Sequence, residues 1–432
     1  MIKKGLYNIP NNWYWSKLGE ITSVIGGGTP SSKINEYYDN GDIAWITPSD
    51  LSNYNNMYIS KGKKMITKLG LMKSSAKLLP KGTVCLSSRA PIGYVVIAKN
   101  ELSTNQGFKS FLPSKVFKSE YLYWYLKSIK HILEAKASGT TFLELSAKKA
   151  GEVEIPLPPI NEQQRIVNRI ESLFAKLDRA KELIENTLAQ WEQNKMAILH
   201  KAFTGELTAK WRKENNIDLS SWEKIKLGKV LLPMQTKKPT GQFFRYIDID
   251  AIDNKRQIVK APKLILTEKA PSRASRGVET GNILFSMVRP YLKNIAQIDS
   301  DLSDCIASTG FYVCRCKPEL NSRFLYYLFI FDKTIDYLMQ FMKGDNSPSI
   351  RKDDLLNMKI DLPTIEEQQE IVNILDNLLA KYNKIKNLEQ QLEKIELLKK
   401  AIRAKAFRGE LGTNNPDEES AENLLKEILA EK

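Results

Sequence analysis

The sequence predicts an α+β protein. It has two globular mixed α/β heads joined by two long helices that pair as an antiparallel coiled coil, and the whole is a pseudo-two-fold tandem repeat. Three observations carry this. The phrase LPPINEQQRIV at Leu157 returns 205 residues later, at Leu362, as LPTIEEQQEIV. The phrase AFTGEL at Ala202 returns 204 residues later, at Ala406, as AFRGEL. Between each opening phrase and its closing phrase runs a narrow apolar seam of helical period.

Residues 1–154 form the first head. IAWIT, GTVCLSS, YVVIA and FKSFLP read as strands from β-branched content and flanking turn residues. SEYLYWYLKSIKHILEAK reads as one buried helix whose aromatics belong to the core. Residues 155–207 form the first long helix. Pro158 and Pro159 mark its start, followed by the capping-box spacing Asn161-x-x-Gln164. Ile166, Ile170, Leu173, Leu177, Ala180, Ile184, Trp191 and Ile198 make its seam, and Gly205 suits a left-handed end.

Residues 208–221 are a polar linker. Residues 222–360 form the second head, with strands in FRYIDIDAI, NILFSMV and FYVCRC and a single helix in SRFLYYLFIFDKTIDYLMQF. It echoes the first in order: KLGKV answers KLGEI, TGNILFSMVRP answers KGTVCLSSRAP, and SRFLYYLF answers SEYLYWYL. Repetition at this scale decides the architecture. Residues 361–411 form the second long helix, opening at Pro363 with Thr364-x-x-Glu367 and closing at Gly409. Its seam is Ile371, Leu375, Leu378, Tyr382, Ile385, Leu392, Ile395 and Ile402. It is one residue shorter between landmarks, so its seam must shift phase. Residues 412–432 are an acidic tail with a short amphipathic helix (Ala421, Leu424, Leu425, Ile428, Leu429), expected to pack within the chain.

Reach sets the orientation. Each long helix spans about 64 Å at roughly 1.5 Å per residue. The link TAKWRKENNIDLSS reaches only about 46 Å at roughly 3.3 Å per residue. It cannot return to the start of the first helix, so the second runs back.

The net charge is +15, and it is unevenly placed. Residues 1–154 carry +10 and residues 213–360 carry +7, whereas 155–212 carry +2 and 361–432 carry −4. Two basic blocks on near-neutral spacers favour a polyanionic partner. No apolar run reaches membrane-spanning length and the start lacks a signal-peptide core, so a cytoplasmic protein without membrane contact is expected. Four cysteines and two histidines show no zinc spacing, and no metal is expected. No P-loop, nucleophile elbow or zinc-protease motif occurs. His131 and His200 have no counterparts in the other repeat and read as structural. No catalytic residue is assigned.

The candidate contacts to DNA are loop residues with hydroxyl, ammonium or guanidinium groups. In the first head they are Thr29, Ser31, Ser32 and Lys33 in GGGTPSSK, Lys61, Lys63 and Lys64 in SKGKKM, Arg89 after a strand, and Thr140 and Thr141 in ASGTTF. In the second head they are Lys237, Lys238, Arg245, Arg273, Arg276 and Arg289.

With W…KLGE…GGGTP near the start, SRAPIG at Ser88, and IPLPPINEQQRIV and AFTGEL with their second copies, the chain resembles the specificity subunit of type I restriction–modification systems. The resemblance covers nearly all of the chain. It implies that the heads are target-recognition domains, each reading one half of a bipartite, asymmetric site in double-stranded DNA. It implies that the helices set the spacing and dock two DNA adenine methyltransferase (modification) subunits, which restriction–translocase subunits then join. It also implies no cofactor in this chain: S-adenosylmethionine, ATP and Mg belong to the partner subunits. The Gly-Gly-Gly-Thr-Pro loop is absent from the second head, so its contacts do not carry over there. A stand-alone DNA methyltransferase or nuclease is the first alternative; it lacks support from any S-adenosylmethionine loop or Asn-Pro-Pro-Tyr-like motif. A coiled-coil scaffold that never binds DNA is the second; it predicts no steep salt dependence.

Overall fold

The computed structural model describes residues 5–89, 91–139, 143–383 and 386–430. The chain divides into two compact units. One comprises Met1–Leu183 with Gln390–Lys432, and the other Ile184–Glu389.

In the first unit, Tyr14–Lys17 pairs antiparallel with Glu154–Leu157, Trp15 opposite Pro156. This closes the head and releases the long helix beside Trp13. A five-stranded sheet has the order Val24–Gly26, Phe108–Phe111, Val84–Ser87, Val95–Ala98, Tyr58–Ile59. Its three central strands are buried along their whole length, which explains why they read as continuous rather than alternating apolar runs. A three-stranded sheet has the order Lys64–Ile66, Ile43–Ile46, Ser103–Thr104.

The second unit repeats this order with its own strands. Glu223–Lys226 pairs antiparallel with Lys359–Leu362. One four-stranded sheet runs Leu231–Leu232, Phe311–Cys316, Ile283–Ser286, Ile295–Gln297. The other runs Lys263–Leu266, Phe243–Ile247, Ile306–Ser308, Ala274–Gly277. The last of these strands is reduced in the first head to a single antiparallel bridge, Leu79 to Leu102.

Each head helix predicted as one piece is two. Ser119–Ser128 is followed by Lys130–Lys136, with Ile129 turned out of helical geometry between them. Ser322–Ile330 is followed by Asp332–Met339, with Phe331 extended between them (φ −71°, ψ 128°). The break turns Phe331 so that its ring stacks on Phe203 at 5.3 Å. The aromatics are core residues: Tyr121, Tyr125, Phe324, Tyr327 and Phe329 are almost fully buried.

The first long helix spans Ile160–Phe203, and Ile365–Asn383 and Lys386–Ala406 follow the second head. Within the first unit the helices run antiparallel. The Arg403 guanidinium lies 5.7 Å from the Phe174 ring centre, Lys399 pairs with Asp178, and Lys181 pairs with Glu396 at 3.9 Å. Within the second unit Leu199 and Ala202 share a core with Ile371 and Leu375. The seam departs from its predicted path at two points. Phe174 is buried beside the half-buried Leu173, and Leu199 is buried in place of Ile198. Each shift is one residue, because the helix turns toward its head's aromatics there. The side chains of Tyr382 and Ile385 lie outside the described residues. Gly205 and Gly409 take left-handed conformations, at φ 81° and 77°. The tail helix Ala421–Ala430 packs Ala421 and Leu425 into the first unit's core.

Candidate nucleic-acid interface

The repeated phrases build a clamp that holds each head to its helix. In the first unit the Trp13 indole N–H donates to Glu162 Oε2 at 2.9 Å, and Asn414 Nδ2 donates to the same oxygen at 2.9 Å. Gln163 accepts from the Lys118 backbone N–H at 2.8 Å, and its amide donates to the carbonyls of Val116 (2.9 Å) and Pro158 (3.0 Å). Phe407, from the closing phrase, packs edge-on against Tyr121 and Tyr125.

The second unit repeats the tryptophan, glutamine and phenylalanine contacts. Trp222 donates to Glu367 at 2.9 Å. Gln368 accepts from the Asn321 N–H at 2.8 Å and donates to the carbonyls of Glu319 and Pro363. Phe203 packs on Phe324 at 5.3 Å. The closing phrase of one repeat therefore serves the head of the other.

These side chains correct the predicted capping boxes. Helix geometry begins at Ile160, so Asn161 lies inside the first turn and Gln164 donates to Asn168 instead. Thr364 does accept from the Glu367 N–H, at 3.4 Å, but the Glu367 carboxylate turns away to Trp222, Thr208 and Arg212. A buried carboxylate gains more from three converging donors than from one cap N–H.

The charge environments of the two clamps differ. Glu367 is buried and forms an ion pair with the buried Arg212. Glu162 meets neutral donors, and burial pushes its carboxyl above the ordinary range despite the bonds from Trp13 and Asn414. Beside it, Arg165 forms a two-pronged pair with Glu418, both bonds 2.8 Å.

In the first head a groove of about 500 Å³ brings together Lys63, Lys64 and Arg89, with Thr47, Asp50 and Asn105 on its wall. Lys61 is exposed on the same turn. Glu144, which sequence reasoning passed over, ties Arg89 (3.6 Å) to the buried Lys109 (3.1 Å). Thr29, Ser31, Ser32 and Lys33 are exposed on a neighbouring loop, with Thr29 bonded to Gln106. Gly27 and Gly28 serve packing: a Cβ on Gly28 would stand 2.1 Å from the Ala76 nitrogen. Thr140 and Thr141 lie outside the described residues.

In the second head Lys237, Lys238 and Arg273 are exposed, and Lys237 is bonded through its backbone to Ser275, next to Arg276. Arg245 and Arg289 do not join them. Arg245 pairs with Asp304 at 2.8 Å, and Arg289, at φ 49°, donates to the Asn346 carbonyl at 2.8 Å. Arg245 is thus drawn into a local ion pair by an acid 59 residues away.

Among the described residues no group of three or more His, Cys, Asp and Glu converges on one point. Cys85, Cys305, Cys314 and Cys316 are free, and burial pushes Cys85 up to about 12. His131 is exposed, and His200 lies beside Phe331.

Comparison with known proteins adds independent findings. The sequence model of the family described as "Type I restriction modification DNA specificity domain" matches residues 10–189 and again 222–397. The chain is 44% identical over 191 residues to the type I restriction enzyme MjaIX specificity subunit of Methanocaldococcus jannaschii, an alignment covering 43% of this chain and 44% of that one. It is 23% identical over 454 residues to the EcoKI specificity subunit of Escherichia coli strain K12, covering 98% and 96%. Among solved structures it resembles a chain from a study of assembly and conformational transition of the type I R-M system, with TM-score 0.69, 21% identity, and coverage of 94% and 100%. It also resembles the HsdS subunit of Thermoanaerobacter tengcongensis, with TM-score 0.59, 20% identity, and coverage of 94% and 99%. At these identities the structural likeness concerns the fold.

Proposed function

The chain belongs to the family of type I restriction modification DNA specificity domains, of which it carries two copies, and from that premise we propose that it is the non-catalytic sequence-specificity subunit of a type I restriction–modification complex. Each head reads one half of a bipartite, asymmetric site in double-stranded DNA. The long helices set the spacing between the half-sites and dock two methyltransferase subunits, to which restriction–translocase subunits add. S-adenosylmethionine, ATP and Mg serve those partners. No described helix is long and apolar enough to cross a membrane, in keeping with work on DNA inside the cell.

One observation carries this reading. The same tryptophan, glutamine and phenylalanine contacts hold both heads, while the basic surfaces they support differ. The first head offers a groove with Lys63, Lys64 and Arg89; the second offers Arg276 on the strand Ala274–Gly277, with Arg273 and Lys237 beside it, where the corresponding segment of the first head makes only one bridge, Leu79 to Leu102. Two unlike readers on equivalent mounts suit two unlike half-sites. Replacing residues 222–360 by the corresponding head of a relative tests it. The adenine-methylation motif in cells should change in one half-site and keep the other. A change in both, or methylation by the purified chain alone, would refute it.

A further inference from the structure

We propose that Ala274–Gly277 is the base-reading strand of the second head, and that Arg276 is its specificity-determining residue, presenting its guanidinium to a guanine edge. Lys237 and Arg273 neutralise flanking phosphates. This rests on the DNA-recognition reading above and deepens it for one half-site.

Three observations converge on this strand. It is a full strand of the second head's sheet, where the corresponding segment of the first head makes a single bridge, Leu79 to Leu102. Its pairing with Ile306–Ser308 slips between Ala274 and Arg276. A bulge of this kind bends a strand and re-aims its side chains, and bulges concentrate at functional edges. The outer side of the strand is held by Gln235–Lys237, through Lys237 N–H to the Ser275 carbonyl and Gly277 N–H to the Gln235 carbonyl, both 3.0 Å.

The third observation is the state of Arg276 itself. Its Nε is buried and has no hydrogen-bond acceptor, and among the described residues its guanidinium has no ion pair. Arg245 has Asp304 at 2.8 Å, and Arg315, whose Nε is likewise buried without an acceptor, has Glu279 at 3.2 Å, so the missing ion pair is what sets Arg276 apart. Of this guanidinium only Nε is buried without an acceptor, so its terminal nitrogens stay within reach of a ligand that supplies acceptors. The O6 and N7 of guanine provide two acceptors in one plane, matching the guanidinium fork. A half-buried, sterically held arginine suits a contact that depends on orientation. Exposed Arg273 and Lys237 suit the orientation-tolerant phosphates.

The test is selection from a random-sequence duplex pool by the chain assembled with its methyltransferase subunits. Wild type, Arg276→Lys, Arg276→Ala and Lys237→Ala are compared. Both Arg276 variants should lose guanine preference at one position of one half-site by roughly tenfold or more, with the other half-site unchanged. Lys237→Ala should weaken all sequences evenly. Unchanged preference at every position, or even weakening, in the Arg276 variants would overturn the proposal. So would loss of both half-sites in Arg276→Lys, which would assign Arg276 to holding the fold. If the wild-type assembly enriches no bipartite sequence, the functional reading fails instead.

Discussion

The indole N–H of Trp13 donates a 2.9 Å hydrogen bond to the carboxylate of Glu162, 149 residues further along the chain. Trp222 and Glu367 make the same bond across 145 residues. In both cases the tryptophan opens a head and the glutamate opens the helix that leaves it. The bond therefore joins the two ends of a folded head, and its partners determine what its loss costs.

Glu367→Ala should cost more than Glu162→Ala. The first leaves the Arg212 guanidinium, with its side chain only 8% exposed, without its carboxylate. Breaking a buried pair in this way costs about 3–5 kcal/mol. The second leaves neutral donors, each worth about 1–3 kcal/mol when unsatisfied. Thermal denaturation of the two variants under one condition checks the order, and equal midpoints would contradict it.

Phe407→Ala should destabilise more than Phe203→Ala. Phe407 is 2% exposed between Tyr121 and Tyr125, whereas Phe203 is half-buried. Truncating a buried Phe costs about 3–5 kcal/mol. Urea unfolding followed by tryptophan fluorescence should give the lower midpoint for Phe407→Ala.

The triple glycine should tolerate change unevenly. A Cβ on Gly26 meets nothing within 4 Å, whereas one on Gly28 would stand 2.1 Å from backbone at Ala76. Gly26→Ala should leave the melting temperature nearly unchanged. Gly28→Ala must move the Ser75–Ala76 backbone and should lower it by several degrees, roughly the effect of a 1–3 kcal/mol overpacking strain.

Acid should release the tail. The hydrogen bond from Arg165 holds Glu418 below its ordinary value of 4.5, so the ionised form favours the fold. That contribution is fully present above the ordinary value and is lost as pH falls through the native one. Burial raises Glu162, so its ionisation works the opposite way: the penalty is absent at low pH and complete above its native pKa. Glu418→Gln should melt earlier than wild type at pH 7, and the two should converge as pH falls below the glutamate range. A constant difference across that range would exclude the pair.

The first head's groove should be electrostatic in its grip. Lys63→Ala and Lys64→Ala should each lower the slope of log K against log[salt] by about 0.9 if each lysine neutralises one phosphate. Anisotropy titrations of the assembled complex on duplex DNA over a range of salt concentrations measure this slope. A slope equal to that of wild type would place both lysines off the DNA.

Much of the architecture was legible because it is written locally. The duplication, the central strands of each head, the helical seam and the glycine stops at Gly205 and Gly409 are patterns of neighbouring residues. They follow from backbone geometry and the period of apolar side chains. The basic residues of the candidate interface were legible as a type, since charge is a property of composition. Their states were not. Arg89 is steered by Glu144 and Arg245 is occupied by Asp304, while Arg276 keeps a buried Nε with no acceptor. Which of these a given arginine meets is set by sheet register and by loops that cross between strands.

The same division holds for the opening phrases. By itself the sequence determined that LPPINEQQRIV and LPTIEEQQEIV begin two long helices, and that AFTGEL and AFRGEL end them. Only the tertiary structure decided that Glu162, Gln163 and Phe407 close on the first head, and Glu367, Gln368 and Phe203 on the second. A glutamate at the third turn position of a helix start can cap its own backbone or reach a distant indole. Burial removes water as a competitor, and the carboxylate then goes where the fold has gathered the most donors.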